Sequence, residues 1–401
     1  MPGTITHFWI FRETLQALPA QGIVTSLRAS NSWLEDRLRA DTSTLRSHYN
    51  YDTYAAHGLP ASYGYFGSTG PDLFLIPDDS FDATGHIDGI EFSDAMHYNK
   101  TGSLVISNLD RIKRTLATNP NQAQTDRLHR LLAYWIGHIT HIAADVMAHP
   151  LVNTMAGAYH TNPGRQFENS EGSNTVNIWK MHHRVEHYQD SYVRRWFFDD
   201  RLHLPRNDWE MLAFPRTACD HISRSNGNRF FVQALERFYS YRADTLYNTV
   251  GATEEAGKLG YFTDDAVASS VSFRNYFVNI IPEYEHMERD HDAQDRNDVE
   301  TVVQPSVFRD YVQQAVRLAV AMVNEALAFL DPQRTYQNAN AQDARDLYQE
   351  KLQTFPLLRK SWNLDCGIGF AFQRSPATAT FQAQGYTLHL PLIMKMVAKP
   401  V

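Results

Sequence analysis

The chain has 401 residues, a formal net charge of −8, 43% hydrophobic and 20% charged residues. This is long and apolar enough to bury a substantial core, as one large helical domain with insertions or two average domains, and disorder is not the default for any long stretch. The acidic balance gives no basic footprint for displacing counterions from a duplex, so no stable nucleic-acid partner is expected, and the two cysteines, Cys219 and Cys366, cannot carry a disulfide framework or a cysteine-based zinc site. Eighteen histidines are the more telling count, because His beside Asp and Glu is the ligand set for zinc where sulfur is absent.

Residues 1–7 show neither a charged leader nor an apolar stretch of signal-peptide length, so the expectation is a cytoplasmic chain or one exported by a leaderless route. Helical spacing of apolar positions runs through residues 5–40. A Tyr/Gly/Pro-rich segment, 49–79, follows and includes Gly64, Gly67 and Gly70; it is expected to be loop, too rich in Gly for helix. Residues 104–118 and 126–149 read as helices, the second ended by Pro150. The most apolar run, 131–152, contains His138, His141, Asp145 and His149, too many polar groups for lipid, so it is a core helix carrying a site and no transmembrane segment is expected.

A polar stretch, 162–174, leads to a helix at 176–198, and helical patterns follow at 229–246 and 306–330. Segments 285–300 and 331–345 read as surface insertions or linkers. From about residue 370 the pattern alternates, suggesting short strands at 378–381 and 387–390 around Gly385. The expected fold class is mainly α, a multi-helix bundle with loop insertions and a short β-like C-terminal segment. The expected division is a helical domain over 1–335, carrying the chemistry, and an extension over 336–401 packed on it.

The strongest chemical signal is the run from Gly137 to Pro150. Steps of four residues advance about 400° on an α-helix, so His141, Asp145 and His149 lie within a drift of roughly 80° on one stripe. Their neighbours are Ile, Ala, Val and Met, so the stripe is polar within a stretch that otherwise reads as buried, and buried imidazoles and carboxylates need partners. A metal ion is one partner; backbone groups or a core aspartate are the plainer alternative. A second element lies within 181–190, where His182 and Glu186 stand one helical turn apart. His183 and His187 share that spacing, and an exposed ion pair on a solvated face is the competing reading. Isolated candidates are His7, Asp72 in the Gly-rich segment, and His97.

In their order along the chain, His7, Asp72, His97, the motif from His141 to His149, and His182 with Glu186 resemble the zinc-dependent phospholipase C family. That family includes the secreted bacterial phosphatidylcholine phospholipases C and, more distantly, the catalytic domain of glycosylphosphatidylinositol-specific phospholipase D. The resemblance covers roughly residues 1–200 and rests on ligand order and spacing. In the bacterial lecithinase type the last His of the motif stands further from the Asp; here His149 follows Asp145 by four positions, more like the glycosylphosphatidylinositol-specific branch.

The resemblance implies three zinc ions, with two to three expected per chain. One is held by Asp72, His97, His141 and Asp145, a second by His149, His182 and Glu186, and a third by His7, a shared Asp145 and the chain's own N-terminus. It implies hydrolysis of a phospholipid at a membrane surface to diacylglycerol and a phosphorylated head group, with Asp72 doubling as ligand and general base. Tyr63, Tyr65 and Phe66 are candidates to line the mouth of the site, where aromatic faces would hold a quaternary ammonium; a place in the core is the alternative. Two further readings stay open: a zinc-dependent single-strand nuclease or nucleotidase, and a non-enzymatic helical scaffold.

Overall fold

The computed structural model of the chain describes residues 3–40, 49–74, 97, 101–156, 185–199, 201–204, 214–218, 220–221, 305–331, 355–358, 362 and 364. Among these the protein is mainly helical and holds no strand. The expected helix at 229–246, the strand pair within 378–390, the segments 162–174 and 285–300, His182, His183 and both cysteines lie outside the described residues.

Among the described residues, eight helices position the site. They are α1 (Thr4–Ala17), α2 (Ile23–Ala40), α3 (Tyr51–His57), α4 (Leu59–Ser68), α5 (Thr101–Leu116), α6 (Gln122–Ala156), α7 (185–193) and α8 (Pro305–Leu330). A 3₁₀ turn, Gly70–Phe74, follows α4, and a π-type turn, Arg194–Asp199, ends α7. The 35-residue α6 is the axis of the bundle, with α1, α2, α4, α5 and α8 all packed on it. Apolar side chains surround α1 on nearly every side, with Ile5, Phe8, Trp9, Ile10, Phe11 and Leu15 all buried, as befits an interior helix. Its last turn is closed by Arg28 of α2, which donates to the carbonyls of Leu15, Gln16 and Leu18, the orphan acceptors of a helix C-terminus.

Two sequence expectations are corrected. The Gly-rich segment is helix over most of its described length, as α3 and α4. Helical propensity is lost at Gly64 and Gly67, by about 1 kcal/mol each, but the missing side chains let α4 lie against α6 backbone to backbone. A Cβ on Gly67 would overlap the Tyr134 carbonyl, and one on Gly137 of α6 would overlap the Gly64 carbonyl. Pro150 does not end α6, which continues to Ala156. The proline costs about 3 kcal/mol in a helix interior. Burial of Met147, Ala148, Leu151 and Val152 around it supplies the compensation that propensity alone does not foresee. No helix among the described residues is long and apolar enough to cross a membrane.

Candidate metal centre

The four-residue steps on α6 do place His141, Asp145 and His149 on one buried stripe, all 0% exposed. Other elements bring their partners to it. His7 comes from the first turns of α1, Asp72 from the 3₁₀ turn, and Glu186 from α7, while His97 lies four residues before α5. Asp145 sits in the middle. Its Oδ1 is 3.3 Å from His7 Nε2 and its Oδ2 is 3.0 Å from His141 Nε2 and 3.8 Å from His97 Nε2. Asp72 Oδ1 is 3.1 Å from His97 Nε2 and 3.7 Å from His141 Nε2, and its Oδ2 is 3.9 Å from His7 Nε2. The His7 and His141 rings stack with centroids 4.2 Å apart.

These side chains form two overlapping groups able to hold a metal ion, His7 with His141 and Asp145, and Asp72 with His97 and His141. Separately, His149 Nε2 stands 3.8 Å from Glu186 Oε1. The described residues therefore supply two of the three side chains implied for an ion there, His182 being the third.

Whether the donors fit a divalent cation is decided by their unsatisfied atoms. Among the described residues, Nε2 of His7, Nε2 of His141 and both oxygens of Asp145 are buried without a well-directed hydrogen bond, although the two nitrogens lie 3.3 and 3.0 Å from the carboxylate. Leaving one such group unpaired costs about 1–3 kcal/mol, more for a carboxylate, so several converging on one point is the arrangement a cation relieves. Protonation agrees. Burial, followed by the neighbouring His141, draws His7 below the ordinary imidazole range, leaving it neutral with a lone pair. Burial alone would raise Asp145, but the charge and hydrogen bonds that the His141 and His7 rings offer when protonated overcome it and hold the carboxyl well below the usual carboxylate range, and a bound cation would take over that role toward neutral rings. Neutral imidazole and ionised carboxylate are the states that ligate zinc.

Backbone carbonyls fix the rings. His141 Nδ1 lies 3.0 Å from the Ser68 carbonyl and His149 Nδ1 lies 2.5 Å from that of Leu364. A carbonyl only accepts, so Nδ1 carries the proton in both rings and Nε2 is left to face the carboxylates. Gly70, at φ +49°, admits the His141 ring, whose Cγ would stand 2.9 Å from any Cβ placed there. Neither carbonyl leaves a mark in the sequence.

Asp190 is a side chain whose role the sequence does not disclose, although it ends the 181–190 element. Buried and one turn beyond Glu186, it accepts hydrogen bonds from the amides of Ile5 (2.9 Å) and Thr6 (2.8 Å) and from the Thr6 hydroxyl (2.8 Å). It caps α1 from a distant helix and ties the element bearing His7 to the element bearing Glu186. Gly3 is required beside it, since a Cβ there would overlap the Asp190 carboxylate. Asp190→Ala is expected to cost about 2 kcal/mol, the upper range for a lost cap because two buried amides go unsatisfied. Asp190→Asn, which keeps one acceptor, should cost less. Denaturant titration of the three proteins checks the order, and an Asp190→Ala chain as stable as the wild type would refute the cap.

The aromatic candidates Tyr63, Tyr65 and Phe66 are all buried in α4. The Tyr65 ring packs on Phe8, Phe11 and Phe214 and its hydroxyl donates to Asn31 Oδ1; the Tyr63 hydroxyl meets His221 Nδ1 at 2.8 Å; Phe66 packs on Tyr134. His138, within the same motif as the ligands, lies against Trp135 and Tyr134 instead of the carboxylates. On α7, Glu186 is buried and His187 is half-buried.

Comparison with known proteins gives one match. A family described as zinc dependent phospholipase C covers residues 6–248, more than half of the chain and nearly all of the elements that meet at the cluster. No curated relative and no solved structure matches.

Proposed function

The chain belongs to the zinc-dependent phospholipase C family, and from that premise we propose that it hydrolyses glycerophospholipids at a membrane surface to diacylglycerol and a phosphorylated head group. The observation that carries the reading is the convergence of His7, Asp72, His97, His141 and Asp145 at one buried point, where ligand atoms of His7, His141 and Asp145 are unsatisfied. Two to three zinc ions are proposed. Asp72, His97, His141 and Asp145 would hold one, His149, Glu186 and His182 a second, and His7 with a shared Asp145 would contribute to a third.

Zinc in such a site supplies Lewis-acid polarisation of the phosphoryl oxygens and acidifies water, whose pKa falls from about 15.7 towards about 7 in favourable cases. The chain's own residues do the rest. Asp145, wholly buried between three imidazoles, is the permanent anion that keeps the cluster together. Asp72 is the most exposed of the cluster at 7%, so its carboxylate is the group that meets incoming water and substrate. There it orients the water and takes its proton as oxygen bonds to phosphorus, while the bond from phosphorus to the glycerol oxygen breaks and the departing alkoxide takes up a proton from the Asp72 carboxyl, which returns to its ionised form. His141 and His149, fixed through Nδ1 by main-chain carbonyls, cannot turn away from the centre during this exchange.

The test is hydrolysis of a panel of phospholipid vesicles with different head groups, with a single-stranded oligonucleotide as an added substrate and zinc counted by elemental analysis. The expected result is two to three zinc per chain, diacylglycerol and a phosphorylated head group as products, and loss of turnover on chelation that added zinc restores. Phosphatidic acid as product would turn the reading to phospholipase D cleavage. Oligonucleotide hydrolysis without lipid hydrolysis would replace it by the nuclease one, and a chain free of zinc would leave a helical scaffold.

A further inference from the structure

The family match ends at residue 248, yet the candidate metal centre is closed by a segment more than a hundred residues further on. Leu364, buried at 0%, accepts the Nδ1 proton of His149 on its carbonyl and donates its amide to the His97 carbonyl at 3.0 Å. One residue thus holds two candidate ligands from different elements. The segment that delivers it is anchored at three points away from the ligands. Trp362 exchanges hydrogen bonds with the Thr101 hydroxyl, its amide at 3.2 Å and its carbonyl at 3.3 Å. The amides of Leu357 and Leu358 both bind the Glu325 carboxylate of α8, at 2.9 to 3.1 Å. The Leu358 carbonyl lies so close to Gly102 of α5 that a Cβ there would overlap it.

We propose that residues 355–358, 362 and 364 act as a strap that positions His149 and His97 for metal binding, so that the chain's centre is completed by residues beyond the family match. The inference rests on the metal reading above. Among the described residues the strap adds no ligand to the cluster; it fixes the tautomer and direction of His149 and the backbone of His97, and α8 is the post to which it is tied. A ring whose second nitrogen is held this way is a stronger and better-aimed ligand, and loss of such support typically weakens metal affinity about 10- to 100-fold.

The test uses the full-length, zinc-loaded chain beside Gly102→Ala, Thr101→Val, Thr101→Ser and Asp145→Asn. Gly102→Ala improves helix propensity in α5 while pushing the Leu358 carbonyl away, and Thr101→Val removes both bonds to Trp362 with little change of shape. Zinc retained at increasing chelator concentration is measured, together with the rise in Tm that zinc produces over the metal-free protein. Gly102→Ala and Thr101→Val are expected to release about one ion at a chelator concentration roughly tenfold lower or less than the wild type requires, with a smaller zinc-dependent rise in Tm. Thr101→Ser, which keeps the hydroxyl, is expected to behave as the wild type. Wild-type zinc retention in Thr101→Val and Gly102→Ala, with Tm lowered equally in metal-free and loaded protein, would reduce the strap to ordinary packing and overturn the inference alone. A wild-type chain that binds no zinc, or an Asp145→Asn chain that binds it undiminished, would overturn the metal reading and this inference with it.

Discussion

Asp145→Asn is expected to lose both tightly held zinc and hydrolytic activity, the latter by roughly a thousandfold or more. The substitution keeps side-chain volume and changes one oxygen to an amide, so packing of α6 is little disturbed. What disappears is the negative charge between three rings, His7, His141 and His97, whose Nε2 atoms stand 3.3, 3.0 and 3.8 Å from the carboxylate. An amide is a poor zinc ligand and carries no negative charge to offset that of a cation. Losing about 4 kcal/mol of transition-state stabilisation, within the several kcal/mol that metal polarisation of a phosphoryl oxygen supplies, corresponds to about a thousandfold in rate. Elemental analysis and the initial rate on vesicles, measured on the same preparation, decide the matter. Unchanged zinc with unchanged turnover would show that the α6 stripe is a polar core feature and not a metal site.

The sequence carried the centre further than it carried the fold around it. His141, Asp145 and His149 were legible because one helix brings them together, and periodicity alone then predicts their common face. His7, Asp72 and His97 were not legible from pattern, each being a single polar residue on a different element; only likeness to a family's ligand order selected them, and the packing of α1, the 3₁₀ turn and α5 around α6 is what joins them. Gly64 and Gly67 misled because the same residue that breaks an isolated helix permits close helix crossing, and a sequence does not say which use is made of it. Pro150 misled in the same way, local cost being outweighed by burial. The carbonyls of Ser68 and Leu364 were invisible in principle, since every residue has one and only the fold decides where it points.

The close crossing of α4 and α6 gives the second large effect. Gly67→Ala is expected to destabilise the protein by about 2 kcal/mol or more and to weaken zinc retention, although residue 67 is not a ligand. On propensity alone the change should help, since alanine is favoured over glycine in a helix by about 1 kcal/mol. The new methyl group, however, would overlap the carbonyl oxygen, carbonyl carbon and Cα of Tyr134, all main-chain atoms of α6 that no rotamer change can move. The helices must separate, and overpacking of this kind costs about 1–3 kcal/mol, the upper end where backbone is the obstacle. Separation also carries Ser68 away from His141, removing the 3.0 Å contact that aims its Nε2, and shifts the turn that bears Asp72. Gly22→Ala is the control. Gly22 has φ +52° with no atom within 4 Å of a Cβ, so alanine there costs only about 1–2 kcal/mol of left-handed backbone strain and should leave zinc retention untouched. Denaturation of metal-free and zinc-loaded protein separates the two effects: Gly67→Ala should lower stability in both forms and shrink the gain from zinc, whereas Gly22→Ala should leave that gain intact. A Gly67→Ala chain with wild-type stability and wild-type zinc affinity would mean that α4 does not lie against α6 at this distance, and that the orientation of His141 has another source.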